Sequence, residues 1–235
     1  MAGTGDAVTE PGLEHGGMTD TDDRPGLWAW FGALLYDPFL ALGERRGMAD
    51  RRRALLAGAE GRVLELGAGT GLNLPHYPAA VRELVLSEPE PAMRAALERR
   101  VARAGRAAQV VPALAEALPF EDDSFDTVVS TMVLCTVHDL PGALAETQRV
   151  LRPGGRLLFI EHVRAASPRY ARWQDRLAAP WAAFAQGCRC NRPIDAVLAD
   201  ALSVERTERA EWRGMPALVR PLVFGAAQIR PARVA

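Results

Sequence analysis

The chain has 235 residues, of which 49% are hydrophobic and 24% are charged, and its formal net charge at pH 7 is −1. These values are ordinary for one globular α/β domain with an adequate core. Because no excess of positive charge is present, nothing in the composition indicates a nucleic-acid partner.

The N-terminal segment is predicted to contain a disordered arm followed by a helical lid. Residues 1–25 are rich in Gly, Asp and Thr and lack apolar periodicity, and they have no signal-peptide pattern. The apolar run Leu27–Tyr36 is too short to span a bilayer. Its aromatic residues also suit an interfacial membrane anchor, but it has no basic polar face, so we favour a lid formed by residues 26–60. A polar helix is expected at Gly43–Ala59.

From residue 61 onward, short apolar strands alternate with helical segments. The pattern predicts strands at 62–66, 83–87, 108–112, 125–131 and 156–163, with helices near 72–79, at 90–104 and at 141–152. Alternation of this kind is typical of a doubly wound, mostly parallel sheet.

An acceptor-side insertion is predicted near residues 165–200. Trp173, Leu177, Trp181 and Phe184 recur at helical spacing, which favours the buried stripe of a helix, although such side chains can also line an acceptor pocket. A further helix is predicted at Pro193–Leu202. Two loosely alternating segments, 204–211 and 218–229, can form an antiparallel hairpin.

The turn after the first strand carries the most specific signal. Glu65 is followed by Gly67, Gly69 and Gly71, which differs from the dinucleotide fingerprint and lacks the lysine of a phosphate loop. A carboxylate beside this turn repels a pyrophosphate and accepts a hydrogen bond from an ammonium. The pattern therefore suits a cofactor with an adenosine and a positively charged amino-acid tail, although a plain structural turn stays open.

A second acid ends the second predicted strand. Glu88 lies roughly twenty residues beyond the glycine turn, where an acid in related sheets binds the ribose hydroxyls. A solvated loop carboxylate is the alternative interpretation.

Five motifs in order resemble those of class I S-adenosylmethionine-dependent methyltransferases of the methyltransferase type 11 group. They are Glu65–Gly71, Glu88, Ala115–Phe120, Ser124–Asp126 and Leu151–Gly155. The resemblance covers residues 60–165. It implies a domain at 61–235 with a seven-stranded, Rossmann-like, mostly parallel sheet closed by a C-terminal antiparallel hairpin. It also implies S-adenosylmethionine as cofactor and S-adenosylhomocysteine as product.

A shorter resemblance points within that superfamily to the small thiol methyltransferases of animal membranes. It rests on Val133–Val137, Glu161–Val163 and Gly187–Arg192. Quinone-biosynthesis methyltransferases are broader relatives.

The cofactor-binding residues expected from these motifs are Glu65, Gly67, Ala68, Gly69, Gly71, Asn73, Glu88, Pro89, Met93, Ala115, Glu116, Thr131 and Met132. Many family members carry an Asp before the residue equivalent to Ala115, where this chain has Leu114. Adenine recognition is therefore expected from backbone groups, from apolar packing by Met93 and Leu114, or from Glu116.

Methyl transfer requires orientation of the acceptor and, for some acceptors, removal of a proton. Orientation can supply up to roughly 7–11 kcal/mol, so no covalent group or metal is required. His138 and His162 are the candidate catalytic bases, with Asp139 and Glu161 as further candidates and a structural role as the alternative. A thiol acceptor needs little help from a base.

The three cysteines predict neither a disulfide framework nor a metal site. Cys135, Cys188 and Cys190 do not have the spacing of the usual zinc-ligand sets, and we expect a reducing, cytoplasmic location. No adjacent basic group is expected to activate Cys135, which is interpreted as a small buried residue rather than a nucleophile.

The function predicted first is methyl transfer to a small-molecule acceptor, with sulfur favoured and oxygen, nitrogen and carbon open. One alternative is a quinone or lipid-head methyltransferase that uses Trp28–Phe39 at a membrane surface. Another is a non-catalytic S-adenosylmethionine-binding module. The oligomeric state is left open.

Overall fold

The structure is a computed structural model that describes the backbone of residues 27–229 and the side chains from residue 34 onward. The predicted disordered arm at 1–25 lies outside the described residues. The helices are α1 (Leu27–Gly43), α2 (Ala49–Leu56), α3 (Pro91–Ala104), α4 (Leu140–Val150), α5 (Pro168–Phe184) and α6 (Ile194–Ala201).

One sheet of seven strands organises the domain. The strands are β1 (Gly61–Leu66), β2 (Val81–Ser87), β3 (Gln109–Val111), β4 (Phe125–Thr131), β5 (Leu151–His162), β6 (Ser203–Glu211) and β7 (Pro221–Gln228). Their order is β3-β2-β1-β4-β5-β7-β6, and β7 runs antiparallel to both of its neighbours while the other pairs are parallel. This confirms the predicted doubly wound sheet and its C-terminal antiparallel hairpin.

The sheet is buried on both faces, as expected for parallel strands. Along β1, Val63 belongs to the core on one face, whereas Leu64 and Leu66 belong to the core on the other. Helix α2 contributes Leu55 and Leu56 to the first of these cores. The two-residue period of the strand thus sends successive side chains into different layers.

Two helix predictions need correction. The helix predicted near 72–79 is only a short 3₁₀ turn at Leu74–His76, because Pro75 and Pro78 disfavour helical conformation in the residues that precede them. The helix predicted at Gly43–Ala59 is divided. Helix α1 continues to Gly43, a π-turn with a kink at Gly47 (φ 113°) follows, and α2 ends at Leu56.

Helix α5 buries only part of the stripe that its sequence predicted, because Leu177 and Trp181 pack against the core while the two ends of the stripe are exposed. Trp173 is 41% exposed and Phe184 is 70% exposed, whereas Ala171 and Gln174 are buried. The Gln174 amide explains this orientation, because it accepts a hydrogen bond from Ala165 N and donates to the carbonyls of Cys190 and Leu218. A buried amide must satisfy its polar atoms, and here that requirement fixes the helix face.

The parallel strands bring their carboxyl ends to one edge of the sheet, where ligands bind in folds of this type. Glu65, Glu88, Thr131 and His162 meet at this edge. No helix among residues 27–229 has the length and apolar content needed to cross a membrane.

Candidate active site

The glycine turn leaves open space at one position. Gly67, Gly69 and Gly71 all have positive φ, at 49°, 57° and 88°. A Cβ at Gly67 would lie 2.8 Å from Val133 Cγ2 and one at Gly71 would lie 2.8 Å from Leu97 Cδ1, whereas one at Gly69 would meet no protein atom within 4 Å. The backbone at Gly69 can therefore approach a ligand closely.

Glu88 ties the end of β2 to this turn. Its Oε2 accepts a hydrogen bond from Gly69 N at 2.8 Å, and its Oε1 accepts one from Glu90 N at 2.9 Å. Burial raises the pKa of Glu88, and these two backbone donors partly oppose the shift. Since each carboxylate oxygen can accept more than one hydrogen bond, both remain able to receive hydroxyl donors.

Glu65 belongs to a buried polar network. Its Oε2 accepts a hydrogen bond from Tyr77 Oη at 2.7 Å, and its Oε1 accepts one from Asn73 Nδ2 at 2.9 Å. The same Asn73 nitrogen donates to Thr131 Oγ1 at 2.9 Å, which joins the ends of β1 and β4. Burial raises the pKa of Glu65 to about 7, although Tyr77 and Asn73 oppose the shift.

Arg52 completes this network from α2. Its Nη1 donates to Asn73 Oδ1 at 2.9 Å, and its Nη2 forms a salt bridge with Glu44 at 3.0 Å. Arg52 is almost fully buried. Sequence analysis missed Arg52 and Tyr77, because nothing in the local pattern distinguishes Arg52 from the neighbouring arginines of the same helix.

Helix α1 is attached to the glycine turn through Asp37. The Asp37 carboxylate accepts a hydrogen bond from Thr70 Oγ1 at 2.5 Å and forms an ion pair with Arg100 of α3. The preceding residue, Tyr36, has its pKa raised to about 12 by burial; Arg52 opposes the shift, and Cys135, Glu88 and Cys188 reinforce it.

The loop expected to meet adenine follows β3. Ala115 is buried in a short turn where Leu114 bridges to Ala117, and Leu114 itself is exposed. Glu116 is already engaged, because its Oε1 accepts hydrogen bonds from His138 N at 2.8 Å and from Asp139 N at 3.4 Å. Met93 is buried, and its amide donates to Glu90 at the start of α3.

The candidate bases differ in burial and in their hydrogen-bond partners. His138 is exposed, and the Asp139 side chain accepts a hydrogen bond from Gly142 N as the N-cap of α4. Glu161 is fully buried and accepts hydrogen bonds from Ser130 Oγ and from the backbone amides of Val133, Leu134 and Cys135. Glu161 thus orders the loop after β4, where Met132 adopts a positive φ of 63°.

His162 lies between two cysteines. Its Nδ1 is 3.4 Å from Cys135 Sγ and 3.4 Å from Cys188 Sγ, and the two sulfurs are 3.8 Å apart. The inference that Cys135 lacks a basic neighbour is therefore wrong, because His162 approaches it only in the folded chain. Hydrogen bonding between the cysteines raises the pKa of Cys135 and lowers that of Cys188, which His162 lowers further.

Comparison with known proteins identifies the family. Residues 64–159 match the model of a methyltransferase domain. Human thiol S-methyltransferase TMT1A is 33% identical over 223 residues, which cover 86% of this chain and 89% of TMT1A. The chain belongs to the same family as TMT1A. It is an S-adenosylmethionine-dependent methyltransferase.

Other relatives agree on the class of enzyme and the fold. Demethylmenaquinone methyltransferase of Thermobifida fusca is 29% identical over 77% of this chain and 84% of its own length. A solved structure from Thermotoga maritima, described as an S-adenosylmethionine-dependent methyltransferase and possible histamine N-methyltransferase, superposes with a TM-score of 0.61 at 20% identity. The superposition covers 87% of this chain and 100% of the chain from Thermotoga maritima.

The residues at the sheet edge fit S-adenosylmethionine. The open space at Gly69 accommodates a ligand against the backbone, and Glu88 retains acceptor capacity for hydroxyl groups. The buried Glu65 carboxylate, with its raised pKa, is suited to a cationic partner. When bound, the cofactor supplies a methyl group activated by its sulfonium.

Proposed function

We propose that this methyltransferase acts on the sulfur of small thiols. The observation that carries the proposal is the relationship to TMT1A, which extends over 86% of the chain and therefore well beyond the methyltransferase motifs at 64–159. On the proposed acceptor side, Cys135 from the loop after β4, His162 from the end of β5 and Cys188 from the turn after α5 lie together, and partly buried aromatic residues such as Trp181 pack against the core cluster that holds both cysteines. A thiol suits such a site, since its thiolate needs little assistance from a base.

The chain's own residues then have separate tasks. Glu88 binds the ribose hydroxyls, Glu65 neutralises the ammonium, and the backbone of Gly67–Gly69 lies against the cofactor. The other residues expected to bind the cofactor line the same cleft in this proposal. They are Ala68, Gly71, Asn73, Pro89, Met93, Ala115, Glu116, Thr131 and Met132. We also propose that residues 26–60 form a lid that excludes water, with Asp37 as its latch on Thr70 and Arg100.

The base at the acceptor is proposed to be His162 rather than His138, if the acceptor requires one. His162 is buried at the end of β5, whereas His138 is exposed on the loop that Glu116 binds. A cytoplasmic location remains part of the proposal and follows from the unpaired cysteines.

A second candidate function is methylation of a quinone or lipid head group at a membrane surface. The observation in its favour is an exposed apolar surface on α1, formed by Leu34, Leu35, Phe39 and Leu42. Phe39 packs edge-to-face against the exposed Phe184 of α5, so this surface continues onto the acceptor side. Surfaces of this kind commonly mark interaction sites.

The choice between these functions can be tested with matched acceptors. Purified enzyme is incubated with S-adenosylmethionine and a small alkyl thiol, the alcohol and amine of the same carbon skeleton, and a short-chain quinol. S-adenosylhomocysteine and the methylated product are then quantified by mass spectrometry. We expect turnover with the thiol and none with the alcohol. Turnover confined to the quinol would contradict the thiol assignment, and stimulation of that turnover by vesicles would support the second candidate function.

A further inference from the structure

Three potential metal ligands converge at the acceptor end of the cleft. Cys135, His162 and Cys188 each offer one ligand atom, the three atoms lie within 4.8 Å of one another, and all three residues are buried. They come from the loop after β4, the end of β5 and the turn after α5, so their sequence spacing resembles no zinc motif.

The distances agree with three corners of a zinc tetrahedron. Bond lengths of about 2.3 Å to sulfur and 2.0–2.1 Å to nitrogen predict edges of about 3.8 Å between sulfurs and about 3.6 Å between sulfur and nitrogen. The observed separations are 3.8 Å between Cys135 Sγ and Cys188 Sγ, and 3.4 Å from each sulfur to His162 Nδ1. A redox pair of cysteines alone would not require an imidazole nitrogen equidistant from both sulfurs.

The three ligands are held by the surrounding backbone and by a stacked ring. Cys135 N donates to Glu161 Oε2 at 3.1 Å, and Cys135 O accepts from Arg189 N at 2.8 Å, which joins the loop to the Cys188 turn. The His162 ring stacks on Trp212, with centroids 5.7 Å apart and an angle of 28°. Such support reduces the conformational entropy that metal binding would otherwise cost.

We propose that Cys135, His162 and Cys188 bind a zinc ion whose fourth coordination position receives the sulfur of the acceptor thiol. Two thiolates and one imidazole in tetrahedral arrangement favour zinc over hard cations. Three protein ligands with an open position are typical of catalytic zinc. Ala68 of the glycine turn belongs to the same core cluster as Cys135 and Cys188, and Tyr36 packs against that cluster, so the open position can face the cofactor cleft.

This site would supply the acceptor in its reactive form. The incoming thiol loses its proton to solvent as the zinc–sulfur bond forms, so His162 acts as a metal ligand and a thiol acceptor needs no base; the resulting thiolate is the attacking nucleophile. The sulfur–carbon bond to the methyl group forms as the bond from that carbon to the cofactor sulfur breaks, with its electron pair remaining on the cofactor. This role of the metal rests on the proposed thiol acceptor, whereas metal binding itself does not.

Metal content tests the site directly. Wild type and the variants Cys135→Ala, Cys188→Ala and His162→Ala are purified from zinc-supplemented cells, dialysed against metal-free buffer and analysed by plasma mass spectrometry. We expect about one zinc per wild-type chain and less than about a tenth of that in each variant. Cys190→Ala is the matched control, because Cys190 is buried in the same turn but outside the ligand cluster, and it should retain zinc.

A second measurement needs no variant and therefore does not depend on folding of the mutants. Wild-type protein is alkylated with and without added zinc, and the modified cysteines are mapped by mass spectrometry. Zinc should protect Cys135 and Cys188 far more than Cys190. Substoichiometric zinc in wild type, equal zinc in the ligand variants, or a Cys135–Cys188 disulfide unaffected by zinc would overturn the site.

Cobalt substitution tests the fourth position separately from catalysis. The visible absorption of the Co²⁺ protein should change when 2-mercaptoethanol is added and remain unchanged with ethylene glycol. A thiol-insensitive spectrum in an enzyme that methylates thiols would overturn the acceptor role and leave the proposed function intact. Stoichiometric zinc in an enzyme that methylates no thiol would support the metal site and contradict the proposed function.

Discussion

The two halves of the cleft are assembled in different ways. On the cofactor side, Glu65, the glycine turn and Glu88 follow one another within 24 residues and lie at the ends of adjacent strands β1 and β2. On the acceptor side, Cys135, His162 and Cys188 come from three distant segments and meet only when β4, β5 and the turn after α5 pack together. The proposed cofactor site can therefore be predicted from local sequence, whereas the proposed acceptor site depends on tertiary contacts.

The largest effect expected on the cofactor side comes from Gly69→Val. Its side chain would occupy the open space in which we propose that the cofactor lies, so we expect S-adenosylmethionine binding to weaken by about 100-fold or more, equivalent to losing two hydrogen bonds to charged groups. Calorimetry measures the affinity. Gly105→Val is the matched control, because Gly105 has a similar φ of 64° and open space but caps α3. Both variants bear a similar backbone strain of roughly 1–2 kcal/mol.

Gly67 should behave differently, because a Cβ at this position would lie 2.8 Å from Val133 Cγ2, inside the protein, rather than in open space. Gly67→Val should therefore lower the free energy of unfolding more than Gly69→Val does. Chemical denaturation compares the two, and equal destabilisation would contradict this interpretation.

Glu88→Ala should have the next largest effect. Loss of a charged acceptor should weaken S-adenosylmethionine binding by about 1.5–3 kcal/mol, or roughly 10–150-fold. Glu83→Ala, which removes an exposed carboxylate from the same strand, serves as the control. Wild-type affinity in the Glu88 variant would disprove the assignment to the ribose.

The affinity for S-adenosylmethionine should depend on pH through Glu65, because burial raises the pKa of this carboxyl to about 7. Below that pH the free carboxyl is protonated and must release its proton to neutralise an ammonium, so affinity should fall by up to about tenfold per pH unit. Above pH 7 the affinity should level off. Calorimetry at pH 6, 7 and 8, in buffers of different ionisation enthalpy, detects the released proton.

Burial also raises the pKa of Glu88, so the pH dependence needs to be assigned to one of the two carboxyls. The variant Glu65→Gln makes that assignment. The variant should bind more weakly above pH 7 and lose most of the pH dependence below it. An unchanged pH profile in the variant would assign the proton to another group.

The smallest effect should come from Asp37→Asn, which weakens the attachment of α1 to Thr70 and Arg100. Because partly exposed ion pairs contribute about 0–1 kcal/mol, stability should change little, while turnover should fall several-fold if α1 excludes water from the cleft. Asp50→Asn removes an exposed ion pair with Arg53 on α2 and should leave turnover unchanged. Normal turnover in the Asp37 variant would argue against the lid.

By itself, the sequence determined the strands of the sheet, the glycine turn and the position of Glu88, because these depend on short-range periodicity and on residues fixed by their place at a strand end. Most errors arose where local pattern and tertiary packing disagreed. The aromatic spacing of α5 predicted a buried stripe, but Trp173 and Phe184 are exposed, and the buried face includes Gln174, whose amide hydrogen-bonds to backbone groups.

Only the tertiary structure decided how polar and metal-ligating groups combine. Arg52, Asn73, Tyr77 and Glu65 form one buried network, because each polar group removed from water must find a partner wherever the fold supplies one. Sequence separations of 26 and 27 residues concealed the closeness of His162 to Cys188 and to Cys135. Parallel strands β4 and β5 bring Cys135 and His162 together by aligning their carboxyl ends, and the turn after α5 adds Cys188 through the hydrogen bond from Arg189 N to Cys135 O, relations that chain order does not express.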